Sequence, residues 1–250
     1  MKDRTYLVTG AARGIGLGIA RHLLSLGANV ALADIDRDAL EALEGLSSRA
    51  SLHACDVSNR AACAGLIAEV LAKHGALHGL VNNAAILDIS PWDALEFERY
   101  DKVIAINQSG ALALSHAATP ALRKTSGAIV NVASIMGMVG SEAAVPYSMA
   151  KGAVLNLTRC LAVDLAPDGI RVNSVSPGFI DTRMAALADG SHEHETDYFK
   201  TVYLQHRKIP LARAAQPEEI VGPVAFLLSD AAGYVTGTNL PVDGGVTATF

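Results

Sequence analysis

The chain has 250 residues, half of them hydrophobic and 18% charged. This composition excludes a disordered chain, and because a sheet covered on both faces needs a large apolar core, we expect residues 1–250 to form one α/β domain. The formal net charge of −5 provides no basic surface, so nucleic acid and anionic membranes are excluded as expected partners.

Cysteine usage and the amino-terminal residues bear on the compartment. Cys55, Cys63 and Cys160 are odd in number and form no C-x-x-C pair, which argues against a zinc or dithiol motif and for a reducing environment. The chain enters an apolar strand at once, without a signal-type run, and holds no apolar run of about 18 residues. We therefore expect a cytoplasmic protein.

Short β-branched runs alternate with helical patterns along the chain. The predicted strands are residues 6–9, 29–33, 52–54, 79–82, 128–133, 171–175 and 239–242. The predicted helices are residues 15–26, 38–46, 61–73, 100–118, 147–165 and 217–228. Such alternation requires parallel strands joined by right-handed crossovers. We predict an α/β fold, a doubly wound parallel sheet of seven strands with helices on both faces.

Residues 181–215 break this rhythm, with a polar centre at 191–195 (Ser-His-Glu-His-Glu). A connection this long inside a compact domain is typical of a lid. It follows the sixth strand, so it borders the crevice at the carboxyl ends of the strands. We predict a mobile lid, in which the apolar runs 184–187 and 199–204 cover a pocket and determine substrate specificity.

The first strand leads into a glycine-rich turn over residues 9–16 (Thr-Gly-Ala-Ala-Arg-Gly-Ile-Gly). Glycine permits positive φ and close approach of a pyrophosphate, and a helix N-terminus offers free N–H groups. The spacing G-x-x-x-G-x-G differs from G-x-G-x-x-G, so an ordinary turn is the alternative. Its place between a first strand and an acidic residue ending the second indicates a dinucleotide site.

That acidic residue is Asp34, whose carboxylate can accept hydrogen bonds from an adenosine ribose. A 2′-phosphate about 4 Å away would be repelled by about 4 kcal/mol per unit charge at an effective dielectric of 20. We therefore expect NAD as the cofactor. Arg13 is the contrary sign, because a basic residue in the turn could reach the phosphate of NADP.

Together with later motifs, this turn resembles that of the short-chain dehydrogenase/reductase family over essentially the full chain. The later motifs are Asp56-Val57, Asn82-Asn83-Ala84-Ala85, Asn107, Ser134, Tyr147-x-x-x-Lys151 and Pro177-Gly178. The resemblance implies a Rossmann-like fold and hydride transfer between a nicotinamide and a carbonyl or alcohol carbon. It also implies a homotetramer, with which the apolar faces of helix 147–165 and the apolar end of residues 244–250 agree.

By resemblance, Asp56 and Val57 hold the adenine, and Asn82 braces the sheet. Ile180 and Thr182 meet the nicotinamide amide, and Ala85 stands where the family often has glycine, which narrows the space beside the nicotinamide. The expected cofactor-binding residues are Gly10, Arg13, Gly14, Ile15, Gly16, Asp34, Ile35, Asp56, Val57, Asn83, Ala84, Ala85, Tyr147, Lys151, Pro177, Gly178, Ile180 and Thr182.

The expected catalytic residues are Asn107, Ser134, Tyr147 and Lys151. Tyr147 and Lys151 are four apart in a helical pattern, so an ammonium can stabilise a phenolate. Lowering a tyrosine pKa from about 10 to about 7 takes about 4 kcal/mol, which Lys151 and the nicotinamide charge would share. Tyr147 is then the acid/base and Ser134 holds the reacting oxygen. By resemblance, Asn107 belongs to a water relay through Lys151.

Each of these residues alone also has an ordinary structural interpretation. Y-x-x-x-K pairs are common on surface helices, a serine at a strand end is usually a cap, and a mid-helix asparagine usually packs. Their joint occurrence in family order, at the predicted strand ends, is what favours an active site.

The substrate is expected to contact Ser134, Met136, Phe179 and Met184, with Ile86, Met138 and Val139 as further wall candidates, although core packing explains apolar residues there equally well. The leading hypothesis is an NAD-dependent oxidoreductase of secondary alcohols: polyols, sugars, hydroxy acids or cyclic alcohols. One alternative is a 3-oxoacyl-type ketoreductase using NADPH, for which Arg37 lies nearby but after two aspartates. The other is a non-catalytic NAD(H)-sensing module, which needs no complete catalytic set.

His192 and His194, with Glu193 and Glu195, could ligate Zn²⁺ or Mn²⁺. No further ligand cluster is evident in the sequence, and hydride transfer needs no metal. We therefore expect a solvated loop and no metal.

Overall fold

A computed structural model describes residues 1–186 and 190–249. The strands are β1 Thr5–Thr9, β2 Asn29–Asp34, β3 Ala50–Ala54, β4 Gly79–Asn82, β5 Ala128–Val132, β6 Arg171–Pro177 and β7 Asn239–Val242. The helices are α1 Gly14–Ser25, α2 Arg37–Glu41, α3 Arg60–His74, α4 Phe97–Val103, α5 Gly110–Arg123, α6 Val145–Asp164 and α7 Glu218–Leu228.

The seven strands form one parallel sheet in the order β3-β2-β1-β4-β5-β6-β7. The strand order reverses between β1 and β4, which opens a crevice at their carboxyl ends. The predicted seven-stranded doubly wound parallel sheet is therefore confirmed, and the glycine turn after β1 lies at this switch point.

The apolar sequence of β1 follows from its burial on both faces. Tyr6 and Val8 belong to a core cluster that includes residues of α1 and α7, whereas Leu7 belongs to one that includes residues of α3 and α5. Because successive side chains of a strand point to opposite faces, one run of apolar residues supplies both layers. The central strands are thus a rigid base for the crevice above them.

Two predicted helices differ from those observed. The predicted helix 38–46 ends at Glu41, and the chain turns ahead of Gly45, which has a left-handed φ of +71°. The predicted helix 100–118 is three segments, because the π-helix Ile104–Ser109 separates α4 from α5. Single π-helical turns are often found at functional sites, and this one contains Asn107.

The predicted lid, residues 181–215 (the covering segment), has its two ends joined by a bridge between Ile180 and Ala215. It contains short 3₁₀ turns at Arg183–Ala185 and Glu193–Glu195 and a π-helix at Phe199–Gln205. Phe199 is buried against Ile135 and Val246. The end of the predicted apolar run 184–187, at Leu187, and the terminal Phe250 lie outside the described residues.

Across residues 1–186 and 190–249, no helix combines the length and the hydropathy required to cross a bilayer.

Candidate active site

The glycine turn is shaped by close backbone approach. A Cβ on Gly16 would lie 2.2 Å from the Gly10 carbonyl oxygen. Gly10 itself has a φ of +62°, and a Cβ there would lie 2.9 Å from the Cα of Ala84. Arg13, the N-cap of α1, makes no side-chain cap hydrogen bond, so the first N–H groups of the helix have no side-chain acceptor. Free donors on a glycine-lined helix start fit the pyrophosphate of a dinucleotide.

Hydrogen bonds join the glycine turn to Asn83 and Ala84, the residues that follow β4. The Thr9 hydroxyl accepts hydrogen bonds from the backbone N–H groups of Asn83 (3.0 Å) and Ala84 (3.1 Å). The Asn83 amide donates to the Thr9 carbonyl at 2.8 Å. Asn82 donates to Asn131 on β5 at 2.8 Å and to Ser115 on α5 at 3.0 Å. The Asn82 motif therefore braces the sheet, as the resemblance implied, and also holds the turn.

Asp34 ends β2 beside this turn. Its carboxylate accepts hydrogen bonds from the backbone N–H groups of Ala12 (3.0 Å) and Asp36 (3.1 Å), so it is held in place at the crevice. Arg13 forms an ion pair with Asp36, and this contact lowers the pKa of the Asp36 carboxyl. The basic residue of the turn is thus already paired, next to a second carboxylate. Ile35, between the two aspartates, is exposed.

The end of β3 carries Asp56 and Val57. Asp56 accepts hydrogen bonds from the N–H (2.9 Å) and the hydroxyl (2.7 Å) of Ser58. Val57 packs so closely on the start of α5 that a Cβ on Gly110 would lie 2.9 Å from its Cγ2. Both residues therefore have structural contacts at the strand end where the adenine was expected.

Tyr147, Lys151 and Ser134 come together on one cavity, Ser134 from the end of β5 and the other two from α6. The Lys151 ammonium donates to the Val132 carbonyl at 2.7 Å and lies 5.7 Å from the centre of the Tyr147 ring. The Ser134 hydroxyl accepts the N–H of Met136 at 3.1 Å.

The electrostatics of this trio differ from the expectation. Burial raises the pKa of Tyr147 to about 12, against a smaller lowering by its hydrogen bond with Ser134. Burial lowers the pKa of Lys151 to about 8. Desolvation disfavours both charged forms, so these protein groups do not by themselves give the phenolate expected near neutral pH.

Asn107 lies in the π-helix Ile104–Ser109, and its side-chain amide makes hydrogen bonds with the backbone of Ile86, in the segment after β4. Its Oδ1 accepts the Ile86 N–H and its Nδ2 donates to the Ile86 carbonyl, both at 2.8 Å. A second cavity of about 10 Å³ lies between Asn107 and Lys151, close to the volume that one water needs. The side chain of Asn107 therefore positions backbone, and the water relay implied by resemblance would use this cavity.

The main cavity has a volume of about 140 Å³ and mostly apolar walls. Of the predicted residues, it is lined by Ile15, Asn83, Ala85, Ser134, Met136, Tyr147, Lys151, Pro177, Gly178, Phe179, Ile180, Thr182 and Met184. Val57, Ala84 and Asn107 line the smaller cavity beside it.

Three predicted wall residues do not line this cavity. The Ile86 backbone is engaged by Asn107, and Met138 and Val139 are exposed beyond the 3₁₀ turn that follows Ser134. Seven residues that do line it were not named from the sequence: Leu87, Val132, Ala133, Ile135, Ala185, Glu193 and His194. The signal for the last two was the His-rich centre of the segment that was expected to border the site.

Comparisons with known proteins agree with this geometry. A family model described as enoyl-(acyl carrier protein) reductase matches residues 10–247. The chain is 41% identical to cis-4-hydroxycyclohexanecarboxylate dehydrogenase of Sinomonas cyclohexanicum, over 98% of this chain and 97% of that protein. It is 37% identical to meso-2,3-butanediol dehydrogenase of Serratia marcescens, over 98% and 95%. A short-chain type dehydrogenase/reductase from Mycobacterium marinum superposes with a TM-score of 0.88 at 32% identity, over 99% and 97%.

Proposed function

Because the chain belongs to the short-chain dehydrogenase/reductase family of oxidoreductases, we propose that it is an NAD-dependent dehydrogenase of secondary alcohols. The observation that carries this proposal is that Ser134, Tyr147 and Lys151 line one cavity. This cavity also includes Ile15, at the start of the helix that the glycine turn opens.

In the proposed reaction, Tyr147 takes the hydroxyl proton of the alcohol and Ser134 holds the reacting oxygen by a hydrogen bond. Lys151 stabilises the phenolate of Tyr147 and returns the proton to solvent by way of the small cavity beside Asn107. When bound, the oxidised nicotinamide supplies the hydride acceptor and a positive charge. That charge favours the phenolate, which is needed because burial raises the pKa of Tyr147 to about 12.

The choice of NAD over NADP is supported by the charges at the end of β2. Two carboxylates, Asp34 and Asp36, lie where a 2′-phosphate would be repelled. Arg13, the residue that could offset this repulsion, is paired with Asp36. Pro177, Gly178, Ile180 and Thr182 also line the cavity and are proposed to hold the nicotinamide end of the cofactor.

The substrate is proposed to be a small secondary alcohol that carries a ring or a second polar group. The apolar walls suit a hydrocarbon body, and Glu193 and His194 offer polar contacts apart from the catalytic trio. The named activities of the relatives, on butanediol and on a hydroxycyclohexanecarboxylate, support this class.

The test is NADH formation with a panel of vicinal diols, cyclic alcohols, hydroxy acids and sugars. Turnover of at least one cyclic alcohol or diol with NAD, abolished in Tyr147→Phe, is expected. No NADH from any member, combined with reduction of 3-oxoacyl thioesters by NADPH, would instead support the ketoreductase alternative. Arg37 is the basic residue that this alternative would need for the 2′-phosphate of NADPH. Its guanidinium lies 3.6 Å from the Glu41 carboxylate, which argues against that role.

A non-catalytic NAD(H)-sensing module is a weaker proposal. Such a module has no need of Tyr147, Lys151 and Ser134 on a substrate-sized cavity. Tight NADH binding without turnover of any panel member would favour it.

We further propose that residues 1–250 act as one unit, in which 181–215 closes over the substrate, and that the protein is a cytoplasmic homotetramer. Leu112 on α5 and Met149 and Val163 on α6 are exposed apolar side chains that a second copy of the chain could cover. The three cysteines are free thiols, which suits a reducing compartment. A monomeric mass by light scattering at micromolar concentration would refute the tetramer.

A further inference from the structure

The fold places the Asp181 carboxylate beside His192 and His194, the two histidines at the centre of the covering segment. The ligand-type atoms of Asp181, His192 and His194 all lie within 4.8 Å of one another. The His192 Nε2 is 3.2 Å from the Asp181 Oδ1. No third partner for the histidine pair was evident in the sequence, because only the path of the chain after β6 brings Asp181 next to them.

Each of the three side chains is held by further contacts. Gln216 donates a hydrogen bond to the Asp181 Oδ2 at 3.3 Å, which leaves Oδ1 directed at His192. The His194 ring lies 4.6 Å from that of Phe199 and 4.7 Å from that of His192, centre to centre. Metal ligands in proteins are commonly oriented by such outer contacts.

The spacing also fits a small divalent ion. Bonds of about 2.0–2.2 Å from nitrogen and oxygen to zinc place two tetrahedral ligands about 3.4 Å apart, close to the 3.2 Å between His192 and Asp181. Two imidazoles and one carboxylate are a donor set that zinc favours, with a water in the fourth position.

We propose that Asp181, His192 and His194 form a zinc site that fastens the turn Glu193–Glu195 to the end of β6. The site adjoins the cavity wall, because His194 and Glu193 line the cavity. Zinc therefore fixes the part of the wall that lies outside the strands. This inference concerns metal binding and does not depend on the proposed function.

Binding rearranges one proton and one weak hydrogen bond. The His192 Nδ1 accepts the His194 N–H at 3.3 Å, so in the neutral ring the proton is on Nε2, facing Asp181. Zinc takes the place of that proton, which moves to Nδ1, and the 3.3 Å contact is given up. A long contact of this kind contributes little. Because the ligand atoms lie within 4.8 Å of one another, His194 needs to move inward by at most about 1.4 Å to reach the tetrahedral spacing.

The test is calorimetric titration of ZnCl₂ into tag-free, chelator-treated protein. A Cys160→Ser background is used, because Cys160 is an exposed thiol. One zinc per chain is expected in this background. His192→Gln, His194→Gln and Asp181→Asn should each weaken the affinity by more than about tenfold, and Gln216→Ala by about tenfold. His206→Ala is the matched control, since His206 is an exposed histidine of the same segment outside the cluster, and it should leave the affinity unchanged.

Cobalt gives a readout that is independent of affinity. Co²⁺ added to the same protein should show the intense visible bands of a four-coordinate site, and His194→Gln should lose them while keeping the circular dichroism of the folded protein without metal. Absence of zinc binding at 100 μM, or an affinity that none of the four substitutions changes, would overturn the proposal. Binding lost equally in His206→Ala would overturn it too.

Discussion

The two sides of the cavity are built in different ways. On the side proposed to bind the cofactor, the walls are strand ends and a helix start, and hydrogen bonds to backbone N–H groups fix their geometry, as with the Thr9 hydroxyl beneath the turn. On the side proposed to bind the substrate, the wall includes the covering segment, which is held by the rings of Phe179, His194, Phe199 and Tyr203. A backbone-built wall tolerates few changes, whereas a wall of packed side chains can be reshaped while the sheet stays intact.

The largest effect is expected from Tyr147→Phe, which removes the acid/base and leaves both walls in place. The kcat for alcohol oxidation should fall by at least about 100-fold, the minimum for loss of a positioned proton acceptor. NADH affinity and Tm should be nearly unchanged, because the substitution removes only the phenolic oxygen and its hydrogen bond with Ser134. Steady-state kinetics within tenfold of the parent would show that Tyr147 is not the acid/base.

Asp34→Asn tests the charge on the cofactor side while keeping an acceptor for the Ala12 N–H. The parent should prefer NAD over NADP by at least about 100-fold in kcat/KM, equivalent to about 2.7 kcal/mol, and the variant should lose most of this preference. Asp36→Asn is the companion variant, because it frees Arg13 and should raise NADP efficiency. Equal use of both cofactors by the parent would contradict the assignment.

Lys151 should make stability depend on pH. Its pKa is about 8 in the folded protein and 10.5 ordinarily, so between these values the unfolded chain binds more protons and stability rises with pH. The free energy of unfolding should gain about 1.4 kcal/mol per pH unit from pH 8 to 10 relative to Lys151→Met. Tyr147 acts oppositely only above pH 10, since its folded pKa is about 12. Parallel pH profiles from urea unfolding of the two proteins would contradict this assignment.

Gly16→Ala and Gly65→Ala separate the cofactor wall from an ordinary helix. A methyl at Gly16 meets the Gly10 carbonyl at 2.2 Å, so backbone must move, whereas one at Gly65 meets nothing within 4 Å. Gly16→Ala should weaken NADH binding by at least about tenfold, or about 1.4 kcal/mol. Gly65→Ala should bind NADH normally and be more stable by up to about 1 kcal/mol. Fluorescence titration with NADH compares the two variants.

The sequence could predict the glycine turn and the end of β2, which are proposed to bind the cofactor, because their determinants are local. Gly10 and Asp34 lie at strand ends and Gly14 begins a helix, and the ends of strands and helices follow from periodicity. The missed wall residues Glu193 and His194 lie in a segment without periodicity, whose position depends on the burial of Phe199 against distant residues. The pKa of Tyr147 was also beyond the sequence, since it depends on how completely the fold removes water from a side chain.

The smallest effect is expected from Phe199→Leu, which alters the substrate wall alone. Phe199 is 1% exposed and packs its ring on Phe179 and His194, so losing the ring should cost about 1 to 2 kcal/mol of stability. The KM for the best alcohol should rise about fivefold, or about 1 kcal/mol, while NADH affinity stays within twofold. Tyr198→Leu is the control, because Tyr198 is 65% exposed and contacts Tyr203 at the rim. If Phe199→Leu weakened NADH binding as much as alcohol binding, the two walls would not be independent, and the covering segment would have to be treated as part of the cofactor site.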